Sequence, residues 1–111
     1  MIIEILHNRE CRAWQECHAD SKNWLRAWGL PRKAKIKILL IENDEHAKER
    51  KFFGSPQLVI DGDDVDAAAL SNKKYHSEGC RLYSWNNKVY DYPPREMVEE
   101  VILRTVKGKN K

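Results

Sequence analysis

The chain is poor in cysteine: three residues in 111, an odd number, with no Cys-x-x-Cys pair. That excludes a small scaffold held together by disulfides. Long apolar runs are missing too. The most hydrophobic stretch, residues 38–41, is far short of the ~20 residues that cross a bilayer. The first six residues, Met-Ile-Ile-Glu-Ile-Leu, have neither the basic start nor the small-residue cleavage site of a secretory signal. Charge of one sign is not in large excess. Lys plus Arg number 20 against 17 Asp plus Glu, interspersed, for a formal charge of +3. A surface of that kind gives no electrostatic case for nucleic acid or membrane as a partner. Glycine (5) and proline (4) are too few for a flexible linker, and no repeat is visible.

What remains is a 41% hydrophobic, 33% charged chain with four tryptophans. Its length suits one compact domain, and the composition supplies a core under a charged surface. The cysteine usage fits a reducing compartment, so a cytoplasmic protein is expected. There a cysteine is first of all a thiol.

Residues 2–7 read as a buried strand. Trp14, Cys17, Ser21, Trp24, Leu25 and Trp28 then share one face of a helix. Gly29 sits at its C-terminal cap, and Pro31 prevents continuation. Residues 36–41 are apolar enough to predict a second strand buried on both faces. Asn43 or Asp44 caps a short charged helix that ends near Phe52-Phe53-Gly54. Residues 57–61 form a third strand, with Gly62-Asp63 as its two-residue turn. Residues 67–79 read as irregular. Residues 81–85 and 88–90 form a hairpin turned by Asn86-Asn87. Pro93 or Pro94 opens a last helix whose apolar face is Met97, Val98, Val101, Ile102 and Thr105. The domain is expected over 1–106, with 107–111 a frayed basic tail.

Strand, helix, strand implies a right-handed crossover and a parallel pair. The β-α-β-α-β-β-α order, with an extra hairpin before the last helix, is that of an α/β, thioredoxin-like fold. Such a fold carries a cysteine site where the first strand turns into the first helix, which is where Cys11 lies.

Three segments resemble a family of small prokaryotic thioredoxin-like, glutaredoxin-like proteins that often have a single active-site cysteine. The first is Glu10-Cys11-Arg12-Ala13-Trp14, where the family tends to read Gly-Cys-Pro-x-Cys or Gly-Cys-Pro-x-Trp. The second is Gly54-Ser55-Pro56-Gln57-Leu58-Val59-Ile60-Asp61-Gly62, and the third Cys80-Arg81-Leu82-Tyr83. Trp14 occupies the place of the second cysteine, and Glu10 and Arg12 replace glycine and proline. A dithiol within one motif is therefore absent.

The resemblance implies thiol–disulfide chemistry on protein or small-molecule thiols, with no cofactor. Cys11 is the nucleophile, its thiolate favoured by the helix N-terminus and by Arg9 and Arg12 and opposed by Glu10. Cys80 is a second thiol near the first, to resolve intermediates or to share a thiophilic metal ion. The Ser55–Pro56 bond is implied to be cis and to face Cys11, with Trp14, Ser55, Pro56 and Tyr83 shaping the groove for a partner. Against this stand plainer readings. Cys11 is equally an inert cysteine in a vestigial site, and Cys80 a small buried residue of a hairpin. A binding module on the same scaffold, holding a soft metal between the two, is the alternative function.

Cys17 reads as core filling, and His7 as a strand-end residue near the site. Cys17-His18 and His76 with Cys80 offer zinc-type ligands but not the paired spacing of a structural site. Lys33, Lys35, Lys37, Lys73 and Lys74 read as a solvated charged face. Asp61-Gly62-Asp63-Asp64 is a hairpin turn, lacking the spacing of a calcium loop.

Overall fold

A computed structural model describes residues 1–30 and 34–109. Pro31 and Lys33 lie outside the described residues, as do residues 110 and 111. Ten elements follow in order: β1 (Ile2–His7), α1 (Ala13–Ala27), β2 (Lys35–Leu40), α2 (Asp44–Arg50), β3 (Gln57–Ile60), β4 (Asp63–Asp64), a 3-10 helix (Ala67–Ser71), β5 (Tyr83–Trp85), β6 (Lys88–Tyr90) and α3 (Arg95–Lys109). The result is a mixed α/β fold with one mixed sheet.

The main sheet has the order β2-β1-β3-β4. β2 is parallel to β1, with Ile3 opposite Ile36 and Ile5 opposite Ile38. β3 is antiparallel to β1, and β4 to β3. Alternation along β1 sends its side chains to two different cores. Ile3 and Ile5 join Cys17 and Leu25 of α1, Leu58 and Ile60 of β3, Val65, Tyr83, and Met97, Val98, Val101 and Ile102 of α3. Leu6, on the other face, packs with Ile41, Ala47 of α2 and Phe52. Thus α1 and α3 cover one face of the sheet and α2 the other. The β5–β6 hairpin forms a separate small sheet.

Local chemistry explains most of the bounds. Asn43 caps α2 by accepting from the His46 amide at 2.8 Å. Gly29, at φ +71, ends α1 in the left-handed conformation that glycine adopts freely. Asn86 and Asn87 take φ 51 and 64, as a two-residue hairpin requires. No helix among the described residues is long and apolar enough to cross a membrane.

Residues 67–71, read as irregular, form the 3-10 helix, capped by the Asp66 side chain accepting from the Ala68 amide. Three further expectations need correction. β2 is not buried on both faces: it is an edge strand paired only with β1, and Ile38 is 38% exposed. The first hairpin turns at Asp61-Gly62, with φ 47 and 90, one residue earlier than expected. Ile60 pairs with Asp63, which leaves Val65 facing the core; a one-residue slip would turn it outward. Finally, α3 continues through Lys109, so 107–109 are helical rather than frayed.

Candidate functional site

β1 ends at His7, and residues 8–12 lead into α1. Asn8 is only 4% exposed and organises this passage. Its Oδ1 accepts from the amides of Glu10 (3.2 Å) and Cys11 (2.9 Å). That is the Asx-type turn by which asparagine satisfies amides a few residues ahead. Cys11 is 7% exposed and precedes the helix. Its neighbour Arg12 is the N-cap residue, and no side chain caps the first amides, so their partial positive charge is directed at this end of the chain. Arg9, Glu10 and Arg12 are exposed. Half-buried Trp14 stacks on His7, ring centroids 4.2 Å apart and planes 19° from parallel.

The segment carrying Cys80 arrives from the other side of the fold. Ser55 donates its amide to the Gly79 carbonyl (3.1 Å) and accepts from the Arg81 amide (2.9 Å), a short parallel bridge that flanks Cys80. The Ser55–Pro56 bond is cis, as the resemblance implied. Asn8 Nδ2 donates to the Ser77 (3.0 Å) and Gly79 (2.8 Å) carbonyls. Asp44 accepts from the Ser77 amide and hydroxyl, both at 2.9 Å, and these bonds hold its carboxyl below the usual range.

Cys80 is exposed. Hydrogen bonding to Cys11, followed by partial desolvation and the charges of Cys11, Glu10 and Asp91, pushes its thiol up to about 11, so at neutral pH Cys80 keeps its proton.

An ion pair holds the residue that follows Cys80. Arg81 is 5% exposed and donates to both carboxylate oxygens of Asp64 at 2.8 Å and to Gln57 Oε1 at 3.2 Å. Its guanidinium also lies 4.1 Å from the Phe53 ring centroid and 4.7 Å from that of Tyr83. Gly54 is needed here, because a Cβ at its φ of +153 would lie 2.8 Å from the Arg81 Cβ.

The structure brings Cys11, Cys80, Ser55, Pro56 and Trp14 to one end of the sheet. It corrects the expected groove. Tyr83 and Ser55 are 0% exposed and Pro56 is fully buried, so none of them offers surface to a partner. Tyr83 instead donates its hydroxyl to the Pro56 carbonyl at 2.5 Å, supporting that turn from within the core. Burial raises the Tyr83 phenol well above its ordinary range. Of the four residues, Trp14 alone keeps exposed surface.

Cys17 lies in the core, as expected, and desolvation pushes its thiol up to about 12. Desolvation lowers the neighbouring His18, with Lys22 adding to the shift. Among the described residues, no group of three or more His, Cys, Asp or Glu gathers as a metal site. The Cys17-His18 and His76/Cys80 pairs therefore assemble no such cluster.

Sequence reasoning passed over Asn8 and Arg81. Asn8 carried a usable signal, an asparagine after a strand and three residues before a cysteine. Arg81 carried none beyond its neighbours, because its partners are remote in sequence. No family model, no curated protein and no solved structure matches the chain.

Proposed function

We propose that the chain is a thioredoxin-like thiol–disulfide oxidoreductase of a reducing compartment such as the cytoplasm. The observation that carries the reading is that the buried Asn8 side chain ties the Cys11 amide (2.9 Å) to the Gly79 carbonyl next to Cys80 (2.8 Å), where a strand runs into a helix N-terminus. The sheet order β2-β1-β3-β4, with α1 and α3 on one face and α2 on the other, supports the fold assignment. So does the cis Ser55–Pro56 bond beside the thiols.

In this reading the Cys11 thiolate attacks a substrate disulfide. A bond forms between Cys11 and one substrate sulfur, the substrate S–S bond breaks, and the other sulfur leaves as a thiolate that takes up a proton. The hydrogen bond to Cys11, first among the causes that keep Cys80 protonated, is weakened once Cys11 is in the mixed disulfide. Cys80 then loses its proton and attacks the Cys11 sulfur, releasing the second substrate thiolate and closing a Cys11–Cys80 disulfide. Two electrons from an external thiol pair restore the dithiol. Without Cys80, an external thiol resolves the mixed disulfide directly, which is the monothiol route. Arg9, Arg12 and the helix N-terminus stabilise the Cys11 thiolate, and Trp14 meets the incoming partner.

The test is turnover of a small disulfide with a thiol donor. Cys11→Ser abolishes it, and Cys80→Ser accumulates the Cys11 mixed disulfide, visible by mass. Unchanged turnover in Cys11→Ser would overturn the reading. The same sulfur pair supports a second reading, a scaffold holding a two-coordinate soft metal ion. One tightly retained ion per chain, lost on blocking the thiols, would favour that instead.

A further inference from the structure

We infer that Asn8 is the positioning residue that joins Cys11 and Cys80 into one dithiol site. The inference rests on the thiol–disulfide reading and names the device that sets its geometry.

A carboxamide offers two N–H donors and an oxygen with two lone pairs. Asn8 uses all four. Its oxygen takes the amides of Glu10 and Cys11, and its nitrogen gives to the carbonyls of Ser77 and Gly79. The two sets of partners belong to the two segments that carry the thiols; Ser77 and Gly79 lie 69 and 71 residues from Asn8. The backbone amide of Asn8 also donates to the Ser55 hydroxyl at 3.3 Å, the residue whose backbone flanks Cys80. A single buried amide therefore fixes the start of the Cys11 turn and the approach to Cys80 at the same time. Besides the Ser55 backbone bridge, residues 77–80 have a second side-chain tether, Asp44 on Ser77, but it is exposed, comes from α2, and makes no hydrogen bond to the Cys11 turn. The two tethers can thus be broken separately.

Aspartate at position 8 would keep the acceptor half and lose the donor half, setting an ionised oxygen against two carbonyls at neutral pH. The experiment equilibrates the reduced full chain with an oxidised small dithiol and quantifies the Cys11–Cys80 linked peptides. One disulfide forms in the protein as one is reduced in the reagent. Wild type forms the linked species. Asn8→Asp, verified as folded by circular dichroism, lowers the equilibrium constant by about tenfold, the scale of two lost buried hydrogen bonds. Asp44→Ala, which frees Ser77 but leaves Asn8 in place, stays within about twofold because its exposed hydrogen bonds are worth little. If Asn8→Asp does not fold, Asn8→Ser is read by the same criterion. An Asn8 variant that is folded and keeps the wild-type constant overturns the inference, as does failure of both variants to fold, which would assign Asn8 to the fold alone. Absence of the linked species in wild type would instead overturn the parent reading.

Discussion

Cys11 and Cys17 lie on either side of the start of α1, and both are withdrawn from solvent, 7% and 0% exposed. Their surroundings differ in kind. Cys17 sits in the core among Ile3, Ile5, Leu25, Tyr83 and Val98. Its environment penalises charge. Cys11 sits where Asn8 takes its amide and that of Glu10, beside a helix start with uncapped amides and a second thiol. Burial alone therefore does not decide whether a cysteine is inert. What decides is whether the groups around it can accept a negative charge.

The sharpest test of this contrast is differential alkylation of the native protein. Cys17 should react about a thousandfold more slowly than an ordinary thiol near pH 8, since its thiol is raised from 9.0 to about 12 and the thiolate is the reactive form. Cys80, exposed and raised only to about 11, should be modified ahead of Cys17. Equal rates at all three positions, read by peptide mass, would remove the distinction.

The next largest effect belongs to the ion pair at the residue after Cys80. Arg81→Ala removes the cation paired with Asp64 and leaves Gln57 Oε1 with only the Phe53 amide; it should cost about 3 kcal/mol in urea unfolding, as removal of one member of a buried pair does. A loss below about 1 kcal/mol would place the ion pair among surface pairs of little consequence.

Cys17→Ala should be milder, about 1 kcal/mol at neutral pH, the scale of a small core deletion. Its more specific signature is at alkaline pH. A thiol whose folded pKa is raised binds its proton more tightly in the native state than in the unfolded chain. The stability this gives is complete below about pH 9 and is lost as the pH rises toward about 12. Wild type should lose melting temperature through that window and Cys17→Ala should lose less. Buried Tyr83 and the Tyr92 phenol bonded to Asp20 contribute in the same direction, so the slope is reduced rather than removed.

How much of this was legible can be judged residue by residue. The apolar face of α1, the Asn43 cap, the Asn86-Asn87 turn and the buried stripe of α3 were readable because helix period and turn chemistry are local. The exposure of β2 was not, because Lys35–Leu40 has the composition of an interior strand and nothing in it says that only one neighbour will pair with it. The Asp61-Gly62 turn was misplaced by one residue, since both dipeptides suit a turn and the choice is made by Val65 facing the core. Tyr83 was expected in a groove and is inside the molecule. An aromatic residue in a short strand carries no mark of which side will be covered.

Sequence by itself determined the three α-helices, the strands to within about two residues, and the position of Cys11 at a helix start, because each depends on residues within a few positions of one another. Tertiary structure decided which thiols meet, that Cys80 rather than Cys17 faces Cys11, and that Asn8, Ser55 and Arg81 hold them there. Those contacts join segments from 17 to 71 residues apart. Which remote partner satisfies a buried donor or acceptor depends on how the sheet and its helices pack.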